Sequence, residues 1–385
     1  MVWWNTLRLK SSSAEVRRKA FESLGATGDA QALELLIAGL GDEDAQVRGA
    51  AVRGLERIKD DASVAALANA LQDPDSDVRQ AAAAGLGRLG DAAPSDHLAR
   101  LLTDANPGVR TATATALRSL GWKPSTREEQ ALLDVALGHA RVAALAGQAA
   151  VKALVTELKH DTSFKRRAAA EALEDVADPR TTQPLLAALK DEDPTVRVSA
   201  IHALSKDASA EVVPKLLALF HDRESCVRLA AAEVLGRRVD PMLAPEFLRL
   251  LSDQNFEVRL SAVQFLGRIG DPQIAEALLP LLSDADSDVR RAAAQALGTI
   301  GGPTAIEALV LALTDEERAV RQAAELALAR IEPNWVHSEA AQHAISQLEA
   351  SLNDPRGWIR SAAGQILAKL HAPDTGVQTA GLQPA

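Results

Sequence analysis

The chain has 385 residues, 47% hydrophobic but only 3% aromatic and with no tyrosine, a balance that points away from an aromatic-rich globular core and towards helices packed through Ala and Leu. A formal charge of −10 argues against a general nucleic-acid binder, and the single cysteine, Cys226, excludes an internal disulfide. No run has the apolar length of a membrane span, and the first ten residues lack the features of a signal peptide, so a cytoplasmic location is expected.

In chain order, Val2, Trp4 and Leu9 fall where Leu33, Leu35 and Leu40 fall one period later. They predict a trimmed first helix that caps the array, although Trp3 and Trp4 are also suited to anchoring a partner. From residue 13 a repeat sets in. An Arg recurs at Arg17, Arg48, Arg79, Arg110 and Arg141, each 31 residues after the last. After a step of 25 it resumes at Arg166, Arg197, Arg228, Arg259, Arg290 and Arg321, and a step of 39 reaches Arg360. That makes twelve copies. Around each Arg, positions −1, +3, +7 and +10 are mostly apolar, as in Val289, Ala293, Leu297 and Ile300, which is one stripe of a helix. Asp286, Ser287 and Asp288 offer an N-cap and a negative first turn, and Gly301, Gly302 and Pro303 end the helix. A second pattern, Ile306, Leu309, Val310 and Leu313, marks another helix between the Arg copies. Each period is therefore a helix pair that buries its stripe only by stacking on its neighbours, and the small residue at +3 lets adjacent helices approach.

Two stretches interrupt the period. Leu120-Gly-Trp-Lys-Pro124 opens an irregular unit over 121–150, and Ile331-Glu-Pro-Asn-Trp-Val-His337 opens another over 332–358. Two helix ends also lack an apolar +10 residue, one at Leu204-Ser-Lys-Asp207 and one at Arg238. Residues 1–371 read as a single solenoid, and 372–385 as a disordered tail.

The motif Leu-x-Asp-x-x-x-x-Val-Arg-x-x-Ala-x-x-x-Leu-Gly, at a period of 31, resembles the HEAT repeat, and within it the short variant named after phycobilisome bilin lyase subunits; similar interruptions look familiar in bacterial members. The resemblance implies an all-α, armadillo-like right-handed α-α superhelix of about twelve helix pairs, with the second helices lining its concave side; a monomer is expected. It also implies a structural ladder in which the turn Asp and the helix Arg hydrogen-bond along the stack. Asp284 would pair with Arg290, and Asp42 with Arg48, Asp73 with Arg79, Asp104 with Arg110, Asp191 with Arg197, Asp222 with Arg228, Asp253 with Arg259, Asp315 with Arg321 and Asp354 with Arg360 in the same way.

Chemistry on such a fold needs side chains that depart from the repeat. Deoxyhypusine hydroxylases resemble this architecture and bind iron through His-Glu pairs, but none of the eight His here precedes a Glu. His160 and His221 read as solvated turn residues and Cys226 as a small buried one. No catalytic set, metal site or cofactor site is expected.

Binding is expected on the face opposite the stripe, at +1, +5 and +8. There Val198, Leu229 and Leu260 interrupt a polar +1 row, rimmed by His202, Glu233 and Gln264 at +5 and by Arg237 and Arg268 at +9. An apolar centre with a polar rim suits a protein or peptide partner. The +9 row of Arg57, Arg88, Lys206, Arg237, Arg268, Arg330 and Lys369 is the starting point for a nucleic-acid reading. The same cations suit the helix dipole, and nucleic acid is the less favoured partner. The principal expectation is a non-enzymatic scaffold or adaptor. The alternative, a bilin lyase-like or chaperone-like subunit acting on a tetrapyrrole-carrying protein, rests on the repeat name.

Overall fold

The computed structural model describes residues 7–90, 94–176 and 178–372. The expected cap at Val2 to Trp4 and all but the first residue of the expected tail lie outside the described residues. Among them every regular element is a helix, and no helix is long and apolar enough to cross a membrane.

The helices form two compact units, Met1–Asp207 and Ala208–Ala385. The first contains α1 (Ala14–Thr27), α2 (Leu33–Gly39), α3 (Ala45–Leu55), α4 (Asp61–Ala70), α5 (Ser76–Leu89), α6 (Ser95–Arg100) and α7 (Pro107–Ser119). It continues with α8 (Arg127–Ala136), α9 (Ala140–Ala144), α10 (Val151–Glu157), α11 (Ser163–Leu173), α12 (Thr182–Ala188) and α13 (Pro194–Ala203). The second contains α14 (Val212–Ala218), α15 (Ser225–Gly236), α16 (Ala244–Leu250), α17 (Phe256–Ile269), α18 (Ala275–Leu278) and α19 (Ser287–Ile300). It ends with α20 (Thr304–Ala312), α21 (Arg318–Ile331), α22 (Glu339–His343), α23 (Ile345–Ser351) and α24 (Gly357–Leu370). The sequence reads as one array, yet the division falls at the helix end without an apolar +10 residue. Asp207 occupies that position, and its carboxylate accepts a 2.5 Å hydrogen bond from the Thr182 hydroxyl.

Within each unit the Arg-bearing helices stack on one another, as α1, α3, α5 and α7 do, and as α15, α17, α19 and α21 do. The stripe is the core: Val289, Ala293 and Leu297 have no exposure, and Ile300 has 8%. The caps form as expected, with the Asp286 carboxylate accepting from the Asp288 and Val289 amides at 2.9 and 3.4 Å. The +8 position, expected on the open face, is instead the closest inter-repeat contact. A Cβ on Gly298 would lie 2.7 Å from Ala327 Cα, one on Gly267 2.8 Å from Ala296 Cβ and one on Gly87 2.8 Å from Ala116 Cα. Position +8 of one repeat thus meets +6 of the next, and the missing side chains set how near two second helices come. The +3 Ala serves the other contact, against the repeat's own first helix: a Cβ on Gly39 would come within 2.9 Å of the Ala51 Cβ.

One turn departs from its siblings. Position +11 adopts positive φ in several repeats and is Gly in most of them, with φ of 61° at Gly28, 71° at Gly270 and 77° at Gly301. Its counterpart after α15 is Val239, at φ 47°. A β-branched side chain in the left-handed region stores about 1–2 kcal/mol. Val239→Gly is therefore expected to stabilise the second unit by about 1 kcal/mol, after allowing for the added freedom of glycine in the unfolded chain. Chemical denaturation measures this, and an unchanged or lower midpoint would show that the turn holds Val without strain.

Candidate functional site

The ladder consists of forked ion pairs, with partners displaced by one repeat from the expected ones. The Arg259 guanidinium grips the Asp284 carboxylate through Nε and Nη2, both at 2.7 Å, and Arg290 grips Asp315 at 2.7 and 3.1 Å. Asp284 and Arg290 do meet, but through the main chain: Arg290 Nη1 donates to the carbonyls of Asp284 and Ala285 at 2.9 and 3.2 Å. The same arrangement joins Arg17 to Asp42, Arg48 to Asp73, Arg79 to Asp104, Arg166 to Asp191 and Arg228 to Asp253. The reason is geometric. An Asp six residues before its Arg opens the turn that the Arg braces, so its carboxylate faces the preceding repeat. Each Arg therefore ties its own turn to the next one with five donors in a fixed fork. These side chains are largely buried, 14% and 8% exposed for Arg259 and Asp284. For Asp253, burial alone would raise the carboxyl, but Arg228 and the Asn255 amide outweigh it and hold it below its ordinary value.

Both interruptions break the ladder. At the second, Arg321 donates to the Asp315 and Glu316 carbonyls, and Asp354 pairs with Arg356. Arg360, in the last repeat, likewise donates to the Asp354 and Pro355 carbonyls. At the first, Arg141 turns out to solvent towards Glu171. Arg110 skips the irregular unit and meets Glu157 at 3.0 Å, with the two side chains 6% and 4% exposed.

That splice gathers residues that the sequence reading did not connect. The repeat of Arg166 has Glu157 at −9, where Leu250 and Leu281 stand elsewhere, His160 in place of the ladder Asp, and Lys165 in place of the stripe Val. Three departures in one repeat were the available signal. They converge: His160 Nε2 lies 3.8 Å and Lys165 Nζ 3.6 Å from Glu157 Oε1, and Lys165 also donates to the Thr111 hydroxyl at 3.3 Å. His160 is not a solvated turn residue, since its ring is only 10% exposed. His160 and Lys165 border an open groove of about 740 Å³ in the first unit, floored by Ala84, Ala112 and Ala116.

The expected apolar patch is more enclosed than its row suggests. Val198 on α13 and Leu229 and Leu260 on α15 and α17 are half-buried. Of the rim, His202 is half-buried, whereas Glu233, Gln264, Arg237 and Arg268 are exposed. Val198 and His202 belong to the first unit and the others to the second. Cys226, expected to be buried, is exposed; it sits at −2, the outer side of the first turn, where Asp77, Glu257 and Asp288 stand in other repeats.

The basic +9 row is partly engaged in packing. Arg88 pairs with Glu56, Arg268 Nη2 donates to the Gly236 carbonyl at 3.0 Å and Arg330 Nη1 donates to the Thr299 hydroxyl at 3.5 Å. Each reaches back to the C-terminal end of the preceding second helix, where a cation offsets unpaired carbonyls. Among the described residues no group of three or more His, Cys, Asp or Glu is placed to hold a metal ion.

The family model for HEAT repeats matches seven overlapping spans: 6–84, 33–118, 64–151, 151–236, 213–282, 243–329 and 275–368. Among solved structures, an engineered protein is 23% identical, aligned over 96% of this chain and 99% of its own, with a TM-score of 0.33. The Escherichia coli protein YibA is 18% identical over 77% of this chain and 91% of its own, with a TM-score of 0.32. A chain from the structure of Kap95p with RanGDP is 14% identical over 98% of this chain and 55% of its own, with a TM-score of 0.38. No curated protein matches the sequence.

Proposed function

This chain belongs to the HEAT-repeat family, and we infer that it is a non-enzymatic scaffold that grips a segment of another protein along the face of its second helices. The observation that carries this reading is what the repeat leaves uncommitted. The stripe is buried, the forked Arg residues mostly hold carboxylates, and Arg88, Arg268 and Arg330 of the +9 row engage the preceding second helix. The +1 and +5 positions of the stacked α15 and α17 keep Leu229 and Leu260 half-exposed, with Glu233 and Gln264 beside them in solvent. Apolar side chains ringed by polar ones, on a rigid stacked frame, suit recognition of a protein segment. Engagement of Arg88, Arg268 and Arg330 within the fold weakens the nucleic-acid alternative.

Replacing Leu229 and Leu260 together by Glu tests this. Partners that the wild-type protein retains from native extract should be lost, since an unpaired charge desolvated at an interface is costly. Stability should fall only by about 1 kcal/mol per site, the share of a half-buried leucine. Leu235→Glu is the control: Leu235 has no exposure, and a charge there should unfold its repeat. If the double variant loses as much stability as the control, Leu229 and Leu260 are core. If it retains the same partners, the site lies elsewhere.

A further inference from the structure

The repeat containing α11 carries a histidine where other repeats place the ladder aspartate, beside the Arg110–Glu157 pair that ties it to α7, and the contacts of that ring show its protonation state. In an ordinary repeat one oxygen of the ladder Asp accepts the amide two residues on, as Asp284 does from Asp286 at 2.9 Å. Here the Thr162 amide donates to His160 Nδ1 at 3.0 Å. A nitrogen that accepts an N–H carries no proton, so His160 is neutral with its hydrogen on Nε2, which lies 3.8 Å from Glu157 Oε1. This bond matters locally, because Thr162 is the N-cap residue of α11 and its side chain makes no cap hydrogen bond.

A proton on Nδ1 removes the acceptor of the Thr162 amide and leaves the Thr162 hydroxyl, 3.1 Å away, as the nearest group that can take it. It also brings a positive charge into a crowded setting. Arg110 from α7 and Lys165 from α11 face the ring as cations, Glu157 from α10 and the adjacent Asp161 as anions. Arg166 Nη1 holds the His160 and Asp161 carbonyls at 2.9 and 3.0 Å. Among these influences burial is the largest and keeps the ring below the ordinary histidine pKa, with Glu157 opposing it and Lys165 and Arg110 reinforcing it.

We propose that His160 makes the junction between α7 and α11 a proton-sensitive joint, which loosens at the turn 160–163 as pH falls from 7.5 to 5.5 while the Asp-built turns hold. The sign follows from linkage. A folded pKa below the unfolded value leaves the contribution intact above the unfolded pKa and withdraws it as pH falls below that value. With an unfolded histidine near 6.5, full resistance of the closed ring makes local opening about tenfold more favourable across this window. For Asp284, in the reference turn, burial alone would raise the carboxyl, but Arg259, the Asp286 amide and Arg290 outweigh it and hold it below its ordinary value, so that turn changes only under stronger acid than this window.

Native-state hydrogen exchange on the full chain, corrected for intrinsic rates, reads this directly. Amides at 162–168 should lose up to about tenfold in protection between pH 7.5 and 5.5, and those at 286–292 should not. In His160→Asn the amide oxygen stands where Nδ1 stood and can take the Thr162 N–H, with no imidazole left to titrate. Protection at 162–168 should then be flat over the window. An equal fall in both turns of the wild-type protein, or a fall that survives in His160→Asn, overturns the proposal. If the variant does not fold, the comparison of the two wild-type turns still decides it.

Discussion

Arg228→Ala is expected to lower the unfolding free energy by about 3–5 kcal/mol, the cost of leaving one member of a buried pair alone. The stranded group is Asp253, whose carboxylate takes Arg228 Nε and Nη2 at 2.6 and 2.8 Å. The variant also releases the Asp222 and Arg223 carbonyls, which Nη1 holds at 2.7 and 3.2 Å. A double-mutant cycle identifies the partner. Arg228→Ala and Asp253→Ala should be strongly non-additive, because each removes the same fork. Coupling of Arg228 to the side chain of Asp222 should be smaller, since their shared bond runs through the Asp222 main chain. Calorimetric or denaturant unfolding of the four proteins supplies the numbers, and additive losses at Arg228 and Asp253 would rule out a shared fork. The contribution should be complete from neutral pH down to the ordinary aspartate pKa, shrink as pH falls below that value and be gone once it has fallen through the depressed Asp253 pKa.

The second large effect is expected at Gly298. An Ala in place of a Gly on an open helix gains about 1 kcal/mol. At Gly298 the sign should reverse, because the new Cβ would lie 2.7 Å from both the Cα and the Cβ of Ala327. Neither is the end of a flexible side chain, so α19 and α21 have to separate, at about 1–3 kcal/mol. Gly49 is the control within the same kind of helix. A Cβ there would meet only Arg53 Nη1, at 3.5 Å, and Gly49→Ala should stabilise by the ordinary increment. If both substitutions stabilise, the close approach of second helices does not depend on Gly at +8.

The sequence by itself determined what depends on near neighbours along the chain. The helix pairs, the stripe through Val289, Ala293 and Leu297, the cap at Asp286 and the interruptions after Leu120 and Ile331 all follow from spacings within one period. Local periodicity and turn chemistry act over a few residues, and the chain displays them twelve times over. The HEAT character follows from the same signal.

Only the tertiary structure decided the relations between one period and the next. In a strict 31-residue repeat every ladder Asp stands six residues before one Arg and 25 after another, and periodicity cannot choose between them. The choice depends on the rise and rotation from one helix pair to the next, which places Asp284 against Arg259. The same step brings Gly298 over Ala327 and makes +8 a contact instead of an open face. It also leaves Val198, Leu229 and Leu260, the three successive apolar residues of the +1 row, half-covered. At the first interruption the step is broken, and Arg110 finds Glu157 at 47 residues' separation. Glu157, His160 and Lys165 read singly as exceptions to a motif. Folding brings them within 4 Å of one carboxylate oxygen or its neighbour, because the short α9 lets the start of α11 reach α7.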